Sequence, residues 1–218
     1  MTHKVHPKIL RIGETTNWES RWFSFKKYKD YLKEDTILRE YLLRNLKKLA
    51  IESIELERSP NLINVIINTS RPGLIIRRGG AGIEELKKKI YNKVLRLTDK
   101  NKEKKEIRIE IREIKKPSLY ASLVAQEVAE KIEKRIPFRR VIKEAMGKIM
   151  ENKEAKGAKI KISGRLGGAE IARSAFLKKG ELPLQTLKAD IDYSEKRAYC
   201  SYGVIGIKVW IYRGEHIG

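Results

Sequence analysis

The hydrophobic residues of this chain recur with two spacings, and the first half of the sequence shows both. Segment 36–50 carries leucines on one helical face with Thr36 as a candidate N-cap, which predicts an amphipathic helix. Apolar and polar residues then alternate in 53–58 and, with more apolar positions, in 62–68. These segments predict two strands separated by a break at 59–61, with the more apolar strand in a central position.

The first half ends with a predicted pair of helices and a further strand. Residues 71–76 form a short turn-to-helix segment, 77–80 a glycine-containing turn and 81–97 a longer amphipathic helix. A polar turn at 100–105 leads to 106–114, where charged residues alternate with isoleucine as in a strand with one wet face. The predicted order is therefore helix, strand, strand, short helix, turn, helix, strand.

The second half begins with two predicted helices, 119–136 and 138–150, which Pro137 separates. A glycine-rich corner follows, in which 159–162 predicts a strand, 163–168 a tight turn, and the residues up to Lys179 a helix. The chain then ends with a strand, a polar turn and a last strand, predicted over 182–193, 194–197 and 204–212.

The glycine-rich corner carries arginines where they could meet a phosphate. Glycines allow positive φ and close backbone approach; Arg165 lies among them, and Arg173 follows two helical turns later. A turn that delivers N–H groups and an arginine to a helix N-terminus is suited to bind phosphate. The alternative is a sharp strand-to-helix corner with a solvated arginine, and the motif alone favours neither.

The charge of the chain restricts the kind of partner it has. Its 218 residues include 49 Lys and Arg against 28 Asp and Glu, for a net charge of +21, and 41% are hydrophobic, enough to fold. Such an excess points to a polyanion. No run approaches the ~20 apolar residues of a membrane-spanning helix. Because the basic residues are spread along the whole chain, nucleic acid is favoured over an anionic membrane.

Residues suited to metal binding or acid–base catalysis are scarce. Cys200 is the single cysteine, which excludes an internal disulfide and a cysteine zinc site and fits a reducing compartment. Asp190 and Asp192 share one side of a predicted strand and could hold a metal, but a polar sheet face beside Lys188 is the favoured interpretation. The histidines lie near the termini and assemble no triad; they are His3, His6 and His216.

Two basic regions are candidates for RNA contact. Residues 1–35, the N-terminal arm, show neither helical nor strand periodicity. Trp18, Trp22 and Phe23 are interpreted as pinning the arm to the core. The basic residues of the arm are interpreted as contacts with RNA. The 138–150 helix presents three cations on one face, which could hold phosphates or form an ordinary solvated face. RNA contact is favoured because only Glu144 offsets them nearby; the cations are Arg139, Arg140 and Lys143.

The order of elements in 36–114 resembles a type 2 KH domain, which clamps about four nucleotides with a G-x-x-G loop between two short helices. We place the loop at 77–80, where Arg77 replaces the family's first glycine, because the apolar run before it fits that register. A register at 79–82 would restore the glycine spacing. A side chain at Arg77 hinders close backbone approach and adds a cation. The alternative to RNA binding is a helix-turn-helix corner with exposed arginines.

Six segments, in one order over nearly the whole chain, are similar to the family of bacterial small ribosomal subunit protein three. They are MTHKVHP at 1–7, RPG at 71–73, FRR at 138–140, SGRLGGAEIAR at 163–173, LKADIDY at 187–193 and YGVIGIKVWIY at 202–212. The resemblance implies an α+β fold, with a type 2 KH domain before a C-terminal αα-β-α-ββ domain whose two helices pack on a sheet. The expected domains are the arm 1–35, the KH domain 36–114, the C-terminal domain 115–213 and a tail 214–218.

The resemblance also implies a place in the head of the small ribosomal subunit, bound to ribosomal RNA beside proteins ten and fourteen. It implies that Arg139, Arg140 and Lys143 lie in the channel through which mRNA enters, near proteins four and five, and help to open structured mRNA. No cofactor, metal or catalysis is expected, and a cytoplasmic or organellar ribosome is the expected location. RNA contacts are expected at Lys4, His6, Arg11, Arg71, Arg77, Arg78, Gly79, Gly80, Arg165 and Arg173.

Two other classes of function stay open. A free KH protein could bind many messages as a regulator, although Arg77 in the loop argues against it. A nuclease or a DNA-repair lyase could use a lysine or the pair Asp190 and Asp192, although the chain offers no convergent acid–base set.

Overall fold

The computed structural model describes residues 5–46, 49–59, 62–92 and 106–215. These residues form two compact units, one within 18–115 and another that joins 5–17 to 116–215. The N-terminal arm is thus divided between the units. Several predicted features lie wholly or partly outside the described residues. They are most of the break at 59–61, the end of the 81–97 helix, the polar turn at 100–105 and most of the tail at 214–218.

The bounds of the described elements are as follows. The helices are α1 Pro7–Leu10, α2 Tyr28–Asn45, α3 Pro72–Ile76, α4 Ala81–Ile90, α5 Ala121–Glu133 and α6 Phe138–Met150. The strands are β1 Ser20–Arg21, β2 Ile51–Arg58, β3 Leu62–Thr69, β4 Glu106–Glu113, β5 Gly157–Gly164, β6 Arg173–Gly180, β7 Ala189–Cys200 and β8 Gly203–Glu215.

The unit within 18–115 is built on a sheet with the strand order β1-β2-β3-β4. β3 runs antiparallel to β2 and parallel to β4. Consecutive residues of β3, including Val65, Ile66 and Ile67, are buried, and β3 has a neighbouring strand on each side, which confirms its predicted central position. Leu42 of α2 and Ile75 of α3 belong to the same core cluster, which holds these helices on the sheet.

Helix α2 differs from the prediction because it begins eight residues earlier, at Tyr28, and ends at Asn45. The predicted N-cap at Thr36 is therefore wrong. Thr36 lies inside the helix, where its Oγ1 donates a hydrogen bond to the carbonyl oxygen of Leu32 at 2.9 Å. The elements α1, β1 and the start of α2 also show that the arm is not without regular structure.

Buried charge explains why the start of α2 escaped the hydrophobic pattern. Glu34 and Asp35 occupy buried positions of the helix, although their side chains are acidic. Both form ion pairs with Arg58 of β2, whose Nε donates to Asp35 Oδ1 at 2.7 Å. Because buried charges persist only when they are paired, this contact fixes the helix on the sheet without an apolar signal in the sequence.

The aromatic residues near β1 only partly act as anchors. Trp22 Nε1 donates to Asp35 Oδ2 at 2.7 Å, which ties this ring to the unit. Trp18 and Phe23 are 64% and 79% exposed, and the Phe23 ring contacts Phe25 edge-on at 4.7 Å. The prediction that the rings pin the arm is therefore supported for Trp22 and wrong for Phe23.

The second unit is an antiparallel sheet in the order β6-β5-β8-β7, covered on one face by α5 and α6. Its core joins Ile160 and Ile162 of β5 to alternate residues of β8 and to the apolar faces of both helices. The α+β class and the two helices packed on a sheet are confirmed. Helix α6 has the predicted bounds, 138–150.

Residues 173–180 form a strand, which corrects the predicted helix up to Lys179. β6 pairs antiparallel with β5, from Gly164 opposite Arg173 to Gly157 opposite Gly180. The chain reverses at Gly167 and Gly168, whose φ angles are +68° and +84°. Alternate residues Ala175 and Leu177 pack on the core, so the true period is two. The predicted order αα-β-α-ββ is accordingly wrong, since four strands follow the helices.

The strand predicted over 182–193 begins only at Ala189 and continues to Cys200. Leu182 and Leu184 instead belong to a loop that packs on Ile191 and Tyr212. Because both leucines are apolar and two residues apart, the loop has the same sequence pattern as a strand. The polar turn predicted at 194–197 is wrong, because these residues pair with β8. Among the described residues, no helix is both long and apolar enough to cross a membrane.

Candidate nucleic-acid interface

The three cations of α6 lie together on the exposed side of the helix. The other side, including Val141, Ala145 and Ile149, is buried in the core of the second unit. The helix is therefore fixed in rotation, and Arg139, Arg140 and Lys143 face solvent. Together with Glu144 they line an open depression of about 450 Å3.

Glu144, the one acidic residue that lines this depression, forms ion pairs with lysines outside the depression. Glu144 accepts a hydrogen bond from Lys131 Nζ at 2.7 Å and lies 3.8 Å from Lys148 Nζ. The hydrogen bond and the charge of Lys131 lower the pKa of Glu144, so it is ionised at neutral pH and already compensated. Glu127 joins the same network, at 2.9 Å from Lys131 and 2.6 Å from Lys148.

No carboxylate in the described part of the chain lies within 4.0 Å of a basic nitrogen of Arg139, Arg140 or Lys143. Arg139 lies 5.9 Å from the centre of the Phe138 ring, a contact that leaves the edge of the guanidinium available. Three cations on a rigid surface can bind adjacent phosphates of one strand, because guanidinium groups form forked hydrogen bonds with phosphate oxygens.

The turn at 77–80 joins α3 to α4 and is open to solvent. Gly79 and Gly80 have φ angles of +63° and +78°, and nothing lies within 4 Å of a Cβ built on either residue. Gly82 is different, because it lies in α4 and a Cβ there would overlap the carbonyl oxygen of Ile75. The loop thus falls in the register 77–80, and Gly82 permits the close crossing of the two helices.

Arg77 occupies a backbone conformation that favours glycine, with φ +57° and ψ −175°. Its guanidinium is exposed and forms an ion pair with Glu85 of α4 at 2.8 Å. Arg78 is exposed in the turn, and Arg71 is exposed at the other end of α3, directly before Pro72. The turn therefore offers open backbone at its glycines and two cations beside them.

Arg11 is not available to RNA, which corrects its prediction as an RNA contact. The side chain is fully buried, with 0% exposure. Its guanidinium donates to the carbonyl oxygens of Pro7 at 3.0 Å and of Leu184 and Thr186 at 2.9 Å each. Arg11 therefore clamps α1 to the loop before β7.

Two neighbours of Arg11 strengthen the same attachment, and no periodic signal in the sequence marks them. Lys8 Nζ lies 2.9 Å from Asp192 Oδ1, and Asp192 Oδ2 accepts a hydrogen bond from the Ala121 N–H at 2.6 Å. His6 packs edge-on against Tyr193 at 4.7 Å. Burial and the positive charge of Lys8 lower the pKa of His6. Lys4 lies outside the described residues.

The two other predicted arginines lie at the glycine corner between β5 and β6. Arg165 Nε donates to the carbonyl oxygen of Ala169 at 2.9 Å and Nη1 to that of Tyr202 at 3.1 Å, which holds the glycine corner. Arg173 is exposed at the start of β6. Because no helix follows the corner, the predicted phosphate site at a helix N-terminus is wrong.

The pair of aspartates has separate cationic partners. Asp192 contacts Lys8, whereas Asp190 lies 2.9 Å from Arg213 Nε. Among the described residues, no group of three or more histidine, cysteine or acidic side chains could hold a metal ion. These contacts favour the structural interpretation of Asp190 and Asp192.

Comparisons with known proteins match nearly the whole chain. A family profile described as "Ribosomal protein S3, C-terminal domain" matches residues 128–211, and a profile described as "KH domain" matches residues 37–119. The chain is similar to proteins named small ribosomal subunit protein uS3. That of Caldicellulosiruptor saccharolyticus is 45% identical over 216 residues, 99% of this chain and 93% of the relative. Those of Brevibacillus brevis and Streptococcus sanguinis are 46% and 44% identical over 215 residues each, 99% of this chain and 93% and 94% of the relatives.

Proposed function

The chain belongs to the ribosomal protein S3 family, and we propose that it binds ribosomal RNA in the head of the small subunit and contacts mRNA where the message enters. The family is one of structural ribosomal proteins, so the prediction that the chain is not an enzyme is confirmed. The proposed location is a ribosome of the cytoplasm, with proteins ten and fourteen beside it and proteins four and five near the channel.

The surface of Arg139, Arg140 and Lys143 carries the mRNA part of this proposal. Contacts with phosphate do not depend on the bases, so the surface would hold any message. Because α6 is packed along its whole inner face, the cations keep their position while the strand moves past them. A strand held in this way while the ribosome pulls on it is separated from its complement.

Replacement of Arg139, Arg140 and Lys143 together by alanine tests this role. All three side chains are exposed, so the fold should be retained. We expect ribosomes with this triple variant to translate an unstructured message at the normal rate and to slow at a stable hairpin. The measurement is the single-turnover rate of translation through the hairpin, with purified ribosomes.

A second triple variant provides a control with the same loss of charge. Lys134, Lys153 and Lys156 are exposed in the same unit and do not line the depression of α6. Their replacement by alanine should leave passage through the hairpin unchanged. Equal rates for both variants, or normal passage by the α6 variant, would contradict the proposed contact with mRNA.

The turn at 77–80 supports the ribosomal RNA part of the proposal. Its open glycines allow a backbone to approach closely, and Arg71, Arg77 and Arg78 can neutralise phosphates. The net charge of +21 adds a binding term that does not depend on sequence and falls steeply with salt. These residues are proposed contacts with ribosomal RNA.

A further inference from the structure

The sheet of the second unit has an outer face, turned away from α5 and α6. Ile160 and Ile162 of β5 point to the core, so their neighbours Lys159 and Lys161 point the other way. The cross-strand register extends this face over β6 and β8. We define the outer sheet face by Lys159, Lys161, Phe176, Lys178, Lys208 and Trp210.

Like charges lie directly opposite one another on this face. Lys159 pairs in register with Lys178, and Lys161 with Lys208. Directly opposed like charges destabilise an antiparallel pair, so the arrangement brings no stability to the isolated protein. Glu195 lies 3.4 Å from Lys208 and compensates its charge. A polyanion seated on the face would relieve the repulsion.

Two aromatic rings lie among these lysines. Lys159 Nζ is 5.2 Å from the ring centre of Phe176 and 5.5 Å from that of Trp210. Phe176 is 64% exposed, although it lies in the middle of a strand. Aromatic rings on an open sheet face, with cations on the neighbouring strand, suit unpaired nucleotides, which offer a flat base and a phosphate at similar spacing.

The far end of the face is closed by the chain itself. Leu182 and Leu184 pack on Ile191 and Tyr212 at the β7 edge, and Trp210 contacts the same cluster. His6 covers the adjacent Tyr193. The open part is therefore confined to the side of β5, β6 and β8, which fits a short unpaired segment better than a long duplex.

We propose that the outer sheet face binds an unpaired segment of ribosomal RNA, with bases stacked on Phe176 and Trp210 and phosphates on the four lysines. The occupant is ribosomal RNA rather than mRNA, because α6 and its cations lie across the sheet, on the opposite face. This inference rests on the proposed ribosomal function, and the choice of ribosomal RNA over mRNA rests also on the proposed contact between α6 and mRNA.

The first test uses the purified full-length protein and a short oligouridylate as the probe. Phe176→Leu keeps an apolar side chain without a stacking ring and should weaken binding about fivefold or more. Lys161→Ser should reduce the slope of log affinity against log salt by about 0.7. Phe25→Leu, at an exposed ring of the other unit, is the matched control and should bind as the natural chain does.

A polyglutamate peptide distinguishes RNA from an acidic protein. If the peptide competes as well as the oligouridylate at equal charge, or if Phe176→Leu binds normally, stacking on this face is overturned. Circular dichroism and thermal unfolding should be unchanged in Phe176→Leu, because the ring is exposed.

The second test identifies the source of the RNA in assembled small subunits stripped of mRNA. Ultraviolet cross-linking and peptide mapping should attach ribosomal RNA to the peptide with Phe176, and Phe176→Leu should reduce this product. Cross-links that form only after mRNA is added would overturn the assignment to ribosomal RNA. Phe176→Leu ribosomes should pass hairpins normally, so failure of this inference is distinct from failure of the α6 proposal.

Discussion

At the scale of single residues, Arg77 stands out because its side chain and its backbone conformation disagree. The values φ +57° and ψ −175° belong to a region that glycine adopts readily and other residues adopt at a cost. The ion pair with Glu85 is exposed, so it compensates little of that cost. Arg77, which replaces the first glycine of the G-x-x-G loop, is thus a cation in a strained backbone conformation at the turn.

Relief of this strain should raise the stability of the protein. We expect Arg77→Gly to increase the free energy of unfolding by about 0.5–1 kcal/mol, since about 1–3 kcal/mol of strain is partly offset by the flexibility of glycine in the unfolded chain. Urea unfolding measures the change. Arg77→Ala removes the same ion pair but keeps the strain, so it should not stabilise. A gain in both variants would show that the conformation is not the cause.

At the scale of elements, the accuracy of the predicted bounds depends on which residues lie on the buried side of the helix. Helix α6 was predicted with its bounds because its buried side is wholly apolar, and the same regularity placed Arg139, Arg140 and Lys143 on the exposed side. The start of α2 was missed because its inward residues include charges that only tertiary partners explain.

Strand β6 was predicted as a helix for a different reason. Its exposed ring at Phe176 and its half-buried Ala175 and Leu177 blur the period of two, and a glycine turn precedes helices and strands alike. The outer sheet face was missed for the same reason, since its lysines acquire neighbours only through strand pairing. Arg11 could not be recognised either, because an arginine buried among carbonyl groups has no signature along the chain.

The crossing of α3 and α4 gives a prediction at this scale. Gly82→Ala should lower the free energy of unfolding by about 1–3 kcal/mol, because the new Cβ would overlap the backbone oxygen of Ile75. Gly147→Ala, on the exposed side of α6 with nothing within 4 Å, should instead stabilise by about 0.5–1 kcal/mol. Urea unfolding measures both, and equal effects would contradict the close crossing.

At the scale of the whole molecule, the N-terminal segment belongs to the unit formed by the end of the chain. Arg11, Lys8 and His6 attach it to the β7 edge and the loop before it. The attachment is polar and directional, because the buried Arg11 guanidinium donates to three carbonyl oxygens.

Loss of this clamp should be costly. We expect Arg11→Ala to lower the free energy of unfolding by about 2 kcal/mol and to make the segment before residue 18 sensitive to protease. Arg21→Ala removes a half-exposed arginine paired with Glu55 and Glu57, and should cost less than about 1 kcal/mol. If the two variants unfold alike and resist protease alike, the clamp does not hold the segment.

The attachment of α1 also sets an order of events during synthesis. Each described strand of the unit within 18–115 has its partners inside that range, so pairing can proceed once residue 113 has left the exit tunnel. Helix α1 is synthesised before this unit, whereas the carbonyl groups that Arg11 needs, at 184 and 186, are synthesised after it. Helix α1 therefore docks later than residues that follow it in the chain, and a nascent chain stopped before residue 183 has no place for it.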